Sequence, residues 1–350
     1  MICPYSRDVP WTLLALLALV GMSCDSRTTN RVVVYTALDE EFSRPLFDQF
    51  TRLTGIRVLA KFDTESTKAV GLTQAILTER ERPRCDVFWN NEIINTLRLD
   101  QLGLLQSYEP SQSALIPQSY RSPRASWHGF AARARVLVVN THLVPIDRRP
   151  TSIEDLVDVR WQGKVGIAKP LAGTTASHAA CLFAVWGDAR AEYFFRRVKT
   201  NAQILSGNKQ VARAVSTGQL AFGLTDTDDA IIELESGRPV AIIYPDQPSS
   251  DGLQEEALGT LFIPNTVSII SKAPHQQAAQ RLVDFLLSPA TERQLAEGPS
   301  AQIPLNRSVR KLPRVETPRT VRAMQVDFQE AAEKWQIAAK FLREQFATAN

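Results

Sequence analysis

Arg31-Val-Val-Val-Tyr35, with the amphipathic stretch Phe42, Leu46, Phe50 and Leu53 behind it, decides the fold. The first is a short run rich in β-branched residues, as in a buried strand. The second repeats every three or four residues, as in a helix with one apolar face. Thr54-Gly55 ends that helix in the manner of a C-terminal glycine, and Pro45 sets its start near Ser43 or bends it there. Outward from this unit, Ile56 to Phe62 reads as a second strand, Thr67 to Arg82 as a second helix and Asp86 to Trp89 as a third strand. Asn90-Asn91-Glu92 opens a helix ending at Leu102-Gly103. Strand and helix alternate, which predicts an α/β protein with mostly parallel sheet.

The second half repeats the pattern. Arg135 to Val139 is a strand, and Ser152-Ile-Glu-Asp155 is a capping-box-like helix start. Lys164 to Ala168 is a strand, after which Gly173-Thr174-Thr175 opens a helix through Trp186. Gln203 to Ser206, Leu220 to Leu224 and Val240 to Tyr244 are further strands, and Pro248 to Glu256 is a polar break. Gly259 to Ile270 is apolar again, Ala278 to Leu287 is a helix with Pro289 beyond it, and Thr320 to Phe346 has helical spacing.

The 350 residues are 44% hydrophobic and 22% charged, a globular composition that excludes wholesale disorder and suits one large or two ordinary domains. Forty basic against 37 acidic residues leave a charge of +3, too small and dispersed for nucleic acid or a polybasic membrane patch. Cys3, Cys24, Cys85 and Cys181 have no CxxC spacing, so neither a zinc site nor a disulfide scaffold is indicated. Cys85 and Cys181 read as small buried apolar residues.

Arg7 precedes the apolar run Trp11 to Val20, which as a helix would rise only about 15 Å, half of what a hydrocarbon core needs. This is the pattern of a secretory signal over residues 1–24. Gly21-Met22-Ser23-Cys24 resembles a bacterial lipobox, which implies an acylated Cys24, although Gly21 stands where such boxes carry an aliphatic residue. Plain secretion with cleavage near Ser23 is the alternative. No later stretch reaches 18 continuous apolar residues, so the remainder reads as extracytoplasmic and soluble.

Several stretches match one family: Val34-Tyr-Thr-Ala-Leu-Asp39, Cys85-Asp-Val-Phe-Trp-Asn-Asn-Glu92, Ala132-Arg-Ala-Arg-Val136, Ile167 to Thr175, Gly207-Asn-Lys-Gln-Val211, Gly223-Leu-Thr-Asp-Thr-Asp-Asp229 and Ala273 to Ala279. Together they resemble the extracellular solute-binding proteins of ABC importers, in the branch of the periplasmic ferric-ion-binding proteins. The resemblance covers about residues 31–300. It implies a type II periplasmic-binding-protein clamp of two α/β lobes joined by crossing strands, near Arg133–Val139 and Gly259–Ile270. Lobe 1 would comprise 25–133 plus 267–308, lobe 2 would comprise 134–266, and C-terminal helices would fill 309–350. It further implies a monomer whose partner is a permease in the cytoplasmic membrane.

Open α/β sheets bind ligands beyond the carboxyl ends of their strands. That directs attention to Thr36–Asp39, Asn90–Glu92, Lys169–Thr175 and Asp226–Asp229. In the ferric relatives these loops supply a histidine, a glutamate and two adjacent tyrosines. Carried over by position, the histidine falls at Asp39, the glutamate at Glu92 and the tyrosines at Asp228 and Asp229. The tyrosine pair is absent, yet all four positions are carboxylates, and oxygen ligands suit hard cations such as Fe³⁺. Two unit charges 5 Å apart repel by about 1 kcal/mol in water and about 3 at an effective dielectric of 20, so four would favour an open, empty clamp. Capping is the competing role for Asp228 and Asp229, and for Asp39 the preferred one.

The same resemblance puts a synergistic anion at Gly173–Thr175, Arg133, Asn208 and Lys169, where a helix N-terminus offers N–H groups and hydroxyls. Thr36, Asn90 and Asn91 would border it. Arg135 is read as a possible surface ion-pair partner and His178 as a packed residue. No Gly-x-Ser-x-Gly elbow, HExxH or Cys–His context occurs, so an enzyme is not expected. An organic or phosphorylated ligand, or a sensing role, are the alternatives to metal transport.

Overall fold

The computed structural model describes Met1 and residues 30–63, 69–248, 257–310 and 314–347. The leader, Cys24 included, lies outside the described residues, as does most of the polar break before Glu256. The first elements are β1 (Arg31–Thr36), α1 (Glu40–Thr54), β2 (Arg57–Phe62), α2 (Val70–Thr78), β3 (Val87–Asn90), α3 (Ile94–Gln101) and β4 (Leu105–Gln106). After β5 (His128–Asn140) come β6 (Val165–Ala168), α4 (Gly173–Trp186), α5 (Asp188–Asn201), β7 (Gln203–Leu205) and α6 (Asn208–Ser216). The chain then forms β8 (Phe222–Asp226), α7 (Thr227–Glu235), β9 (Val240–Ile243) and β10 (Phe262–Ile270). It closes with α8 (Gln276–Leu286), α9 (Pro289–Glu297) and α10 (Phe328–Phe346).

The strands run in the order β2-β1-β3-β10-β5-β8-β6-β7, with β4 paired to β10 and β9 to β5. Pairing is parallel among β1, β2 and β3 and among β6, β7 and β8. The two long strands β5 and β10 are antiparallel to each other and join the two parallel halves. The molecule is thus a two-lobed α/β clamp, as the sequence led us to expect. Alternation along the strands explains why helices cover both sheet faces. Val87 and Trp89 pack with Phe47 and Phe50 of α1 and Leu282 of α8, whereas Phe88 between them packs with Leu72 and Ile76 of α2.

Several local expectations are corrected. Pro45 lies inside α1, which starts at Glu40, not near Ser43; this early in the helix its ring sacrifices a single main-chain bond. Asn90 ends β3, and the helix after it begins only at Ile94. Pro289 does lie beyond the end of α8, but it also opens a further helix, α9, where its missing N–H is harmless, and Ser288 Oγ accepts from Thr291 N (3.2 Å). Among the described residues of 309–350 there is one helix, α10, because Pro318 lies in the irregular segment that precedes it.

Where β5 and β10 cross, the ladder is irregular: the register shifts between Ile263 and Asn265, and Pro264 has no N–H to give. Ala131 faces this point with φ 44°, an uncommon conformation for a residue with a Cβ. Its N–H donates to Glu292 Oε1 (2.7 Å), and its carbonyl accepts from Asn265 Nδ2. Glu292 is buried and also accepts from Leu305 N (3.1 Å) and Asn306 N (2.6 Å).

Helix α10 packs on α3 in one lobe and on α4 and α5 in the other. Trp335 carries the Arg98 guanidinium 5.1 Å above its ring, while Phe341 meets Phe183 and Phe346 meets Phe195.

Candidate ligand-binding cleft

The loops after β1, β3, β6, β7 and β8 converge on a cavity of about 370 Å³ between the lobes. Asp39, Asn91, Arg133, Lys169, Gly173, Thr174, Thr175, Asn208, Asp228 and Asp229 all line it, together with Asp226. Thr36, Asn90 and Glu92 do not.

The reason in each case is a local bond. Thr36 Oγ1 accepts from Leu38 N (3.2 Å) and shapes the turn into α1. Asn90 Nδ2 donates to Glu92 Oε1 (2.8 Å) and Thr96 Oγ1 (3.2 Å). Glu92 is fully buried and accepts from Ile94 N (2.6 Å), Asn95 N (3.1 Å) and, from the other lobe, Ser177 Oγ (2.6 Å). The first turn of a helix carries N–H groups with no partner inside it, and a carboxylate there is favoured. Glu92 therefore sits as the cap of α3, away from the carboxylates with which it was expected to converge. Glu92→Ala is expected to lower stability by about 2–4 kcal/mol, because Asn90 Nδ2, the Ile94 and Asn95 N–H groups and Ser177 Oγ all lose an acceptor. A denaturant melt checks this; a stable variant that loses only metal affinity would return Glu92 to the ligand set.

The acidic wall is built at two helix starts. Asp39 precedes α1 and Asp226 precedes α7, yet neither side chain makes a capping hydrogen bond. Asp228 and Asp229 occupy the first turn of α7, and oxygens of Asp226, Asp228 and Asp229 lie within 4.8 Å of one another. Arg133 of β5 is buried beside them, its Nε 3.4 Å from Asp228 Oδ2, and its guanidinium donates to Asn265 Oδ1 (3.3 Å). Burial works against the Arg133 charge, but Asp228, Asp226, Asp39 and Asp229 together hold its pKa above the ordinary arginine value. The uncompensated repulsion expected of four carboxylates is thus replaced by acids interleaved with an arginine.

The opposite wall is the N-terminus of α4. Gly173 begins it at φ 58°, a left-handed conformation that favours glycine. Behind it, Arg135 is completely buried instead of lying at the surface. Its Nη1 shares two hydrogens among Asp226 Oδ1 (2.7 Å), Asn208 Oδ1 (3.1 Å) and Thr174 Oγ1 (3.2 Å), and its Nη2 donates to Thr175 Oγ1 (3.2 Å). His178, on the next turn, is buried, and neither ring nitrogen has a hydrogen-bond partner among the described residues. Burial, and then Arg135, hold its pKa well below the ordinary value, so it packs as a neutral ring. Cys85 and Cys181 are buried free thiols, their pKa values raised by burial.

At the rim, Lys209 of α6 donates to Glu41 of α1 (2.8 Å), a contact between lobes that raises the lysine pKa. The roles of Arg135, Asp226 and Lys209 were not anticipated. Arg133 and Arg135 lie two apart on an apolar strand, and a buried arginine requires an acid; that was the available signal.

Taken together, a crossed two-lobed α/β frame with a polar cavity at the carboxyl ends of its strands defines a ligand-binding clamp. The description of the bacterial extracellular solute-binding proteins matches residues 31–297, and the chain belongs to that family of ABC-importer components. Iron uptake protein A1 of Synechocystis sp. is 27% identical over 319 residues, covering 84% of each chain. The crystal structure of iron-bound HitA from Pseudomonas aeruginosa superposes with a TM-score of 0.79 at 22% identity, covering 90% of this chain and 99% of that one. AfuA from Actinobacillus pleuropneumoniae, with fructose-6-phosphate bound, gives 0.79 at 20% identity over 91% and 99%.

Proposed function

We propose that the protein captures iron(III) together with a small oxyanion outside the cytoplasm and delivers it, as a monomer, to an ABC permease. The observation carrying this reading is the cavity itself: Asp39, Asp228 and Asp229 line it together with a helix N-terminus. Hard oxygen donors suit a hard cation, and main-chain N–H groups suit the anion that completes its coordination. A water molecule in the liquid takes about 30 Å³, so the cavity has room for a cation with an organic anion such as citrate. The relatives named for iron uptake support the same cargo. The leader supports export, and Cys24 is assigned as the lipid anchor. Isothermal titration of Fe³⁺–citrate, Mn²⁺ and Ca²⁺ tests the proposal. Tight binding of ferric citrate is expected; no affinity stronger than millimolar for any of the three would overturn it.

One observation favours a second reading, an organic phosphate or amino-phosphonate ligand: Arg133 already neutralises part of the acidic wall. There the α4 N-terminus would hold the phosphate, and Asp228 and Asp229 would accept from hydroxyl or amine groups. Melting shifts across a metabolite panel separate the two, since only the bound ligand raises the transition.

A further inference from the structure

The walls of the cleft hold a second set of polar atoms whose hydrogen bonds are all directed inward. Thr174 Oγ1 donates to Asp226 Oδ2 (2.5 Å) and accepts from Arg135 and from Asn208 Nδ2 (2.9 Å). Thr175 Oγ1 donates to Asn208 Oδ1 (3.1 Å) and accepts from Arg135. Asn208 Nδ2 uses its two hydrogens on Thr174 Oγ1 and Asp226 Oδ2 (3.0 Å), and its Oδ1 accepts from Arg135 and Thr175. A hydroxyl has one hydrogen and an amide nitrogen two, so none of these three side chains has a hydrogen left for a ligand.

We propose that Arg135, which does not line the cavity, is the positioning residue that sets the ligand selectivity of this wall. It holds the polar ends of Thr174, Thr175, Asn208 and Asp226 to itself. What remains for a ligand is the main-chain N–H groups of Gly173–Thr175 and the guanidinium of Arg133. The only hydrogens that wall turns toward a ligand are therefore main-chain and guanidinium N–H, and Thr175 Oγ1 alone of the three side chains keeps a spare lone pair. A deprotonated oxyanion serves these donors fully, whereas an uncharged alcohol or amide in the same place offers them fewer lone pairs and no charge. The forked guanidinium is what makes this possible, because its planar donors reach a carboxylate, an amide and two hydroxyls at once. A lysine ammonium could match the charge of Asp226 but not that geometry.

This rests on the cleft as the place where the cargo's anion binds, but not on iron. The test therefore uses iron-free citrate and inorganic phosphate as probes, by calorimetry on the full chain, with Fe³⁺–citrate as a separate titration. Wild type is expected to bind an iron-free oxyanion, and Arg135→Lys to lose more than about tenfold of that affinity while its melting transition stays cooperative. The loss in Arg135→Lys should also narrow the preference for citrate over its uncharged triamide. Should Arg135→Lys unfold, Arg135→Met with Asp226→Asn removes the buried charges together and must show the same weakened selectivity. Wild-type affinity and selectivity in either variant overturn the proposal, as does a wild type that binds neither oxyanion. Oxyanion binding without ferric binding leaves it standing and removes the iron reading instead.

Discussion

Asp228→Asn with Asp229→Asn should abolish ferric binding, with a loss of more than about a thousandfold. Each unit of opposite charge about 4 Å away contributes about 4 kcal/mol at an effective dielectric of 20, and two carboxylates are removed from beside a trivalent ion. Stability will not be untouched, as it would be if these aspartates only capped α7. Asp228 is the ion partner of buried Arg133, so the double variant is expected to be less stable by about 1–3 kcal/mol. Asp226 and Asp39 limit the loss by continuing to face the guanidinium. Titration with Fe³⁺–citrate and a urea melt read the two effects separately. Unchanged affinity would reduce the pair to a helix start and remove the metal assignment.

The second large effect lies outside the cavity. Glu292→Leu is expected to destabilise the protein by about 3–5 kcal/mol, because the N–H groups of Ala131, Leu305 and Asn306 lose a shared acceptor inside the molecule. Ala131 holds its positive φ only while its N–H and carbonyl are both engaged, so the loss falls on the crossing of β5 and β10. Glu292→Gln retains one acceptor oxygen and should lose clearly less. Equilibrium denaturation of both variants is the measurement; a Leu variant as stable as wild type would mean that the crossing is held by the strands alone.

The frame of this fold was legible because its elements are periodic. β1, α1 and α4 each announce themselves within fifteen residues, and the alternation of strand and helix fixes the class. Asp188–Asn201 was equally periodic, with Ala191, Phe194, Phe195 and Val198 all buried on one side, but it follows α4 after a single glycine, and the sequence reading ended that helix at Trp186 and left this one unassigned. The cleft was legible as a set of loops and not as a set of contacts. Arg135 and Asp226 are 91 residues apart, and no local pattern pairs them. Glu92 shows the opposite limit: its place in the family pattern pointed to the cavity, while the unmet N–H groups of Ile94 and Asn95 drew it to the helix start. Position in a loop told which residues lie near the cavity; competition for hydrogen bonds decided which of them line it.

The placement of α10 has a mechanical consequence. It lies on α3 and on α4 together, so turning one lobe against the other must slide this helix across at least one of them. Most of the contacts it slides on are rings and aliphatic chains, Phe341 and Phe346 among them, whose attraction has little directional dependence, although Lys334 of α10 also pairs with Asp188 of α5 (2.8 Å). Ser177 to Glu92 and Lys209 to Glu41, by contrast, join the lobes through bonds that fail within an ångström or so of displacement. The face under α10 therefore yields to sliding more readily than these two polar links between the lobes, one buried (Ser177 to Glu92) and one at the rim (Lys209 to Glu41). Friction on one side and release on the other are set by different residues, so the rate of opening and the angle reached can be altered independently.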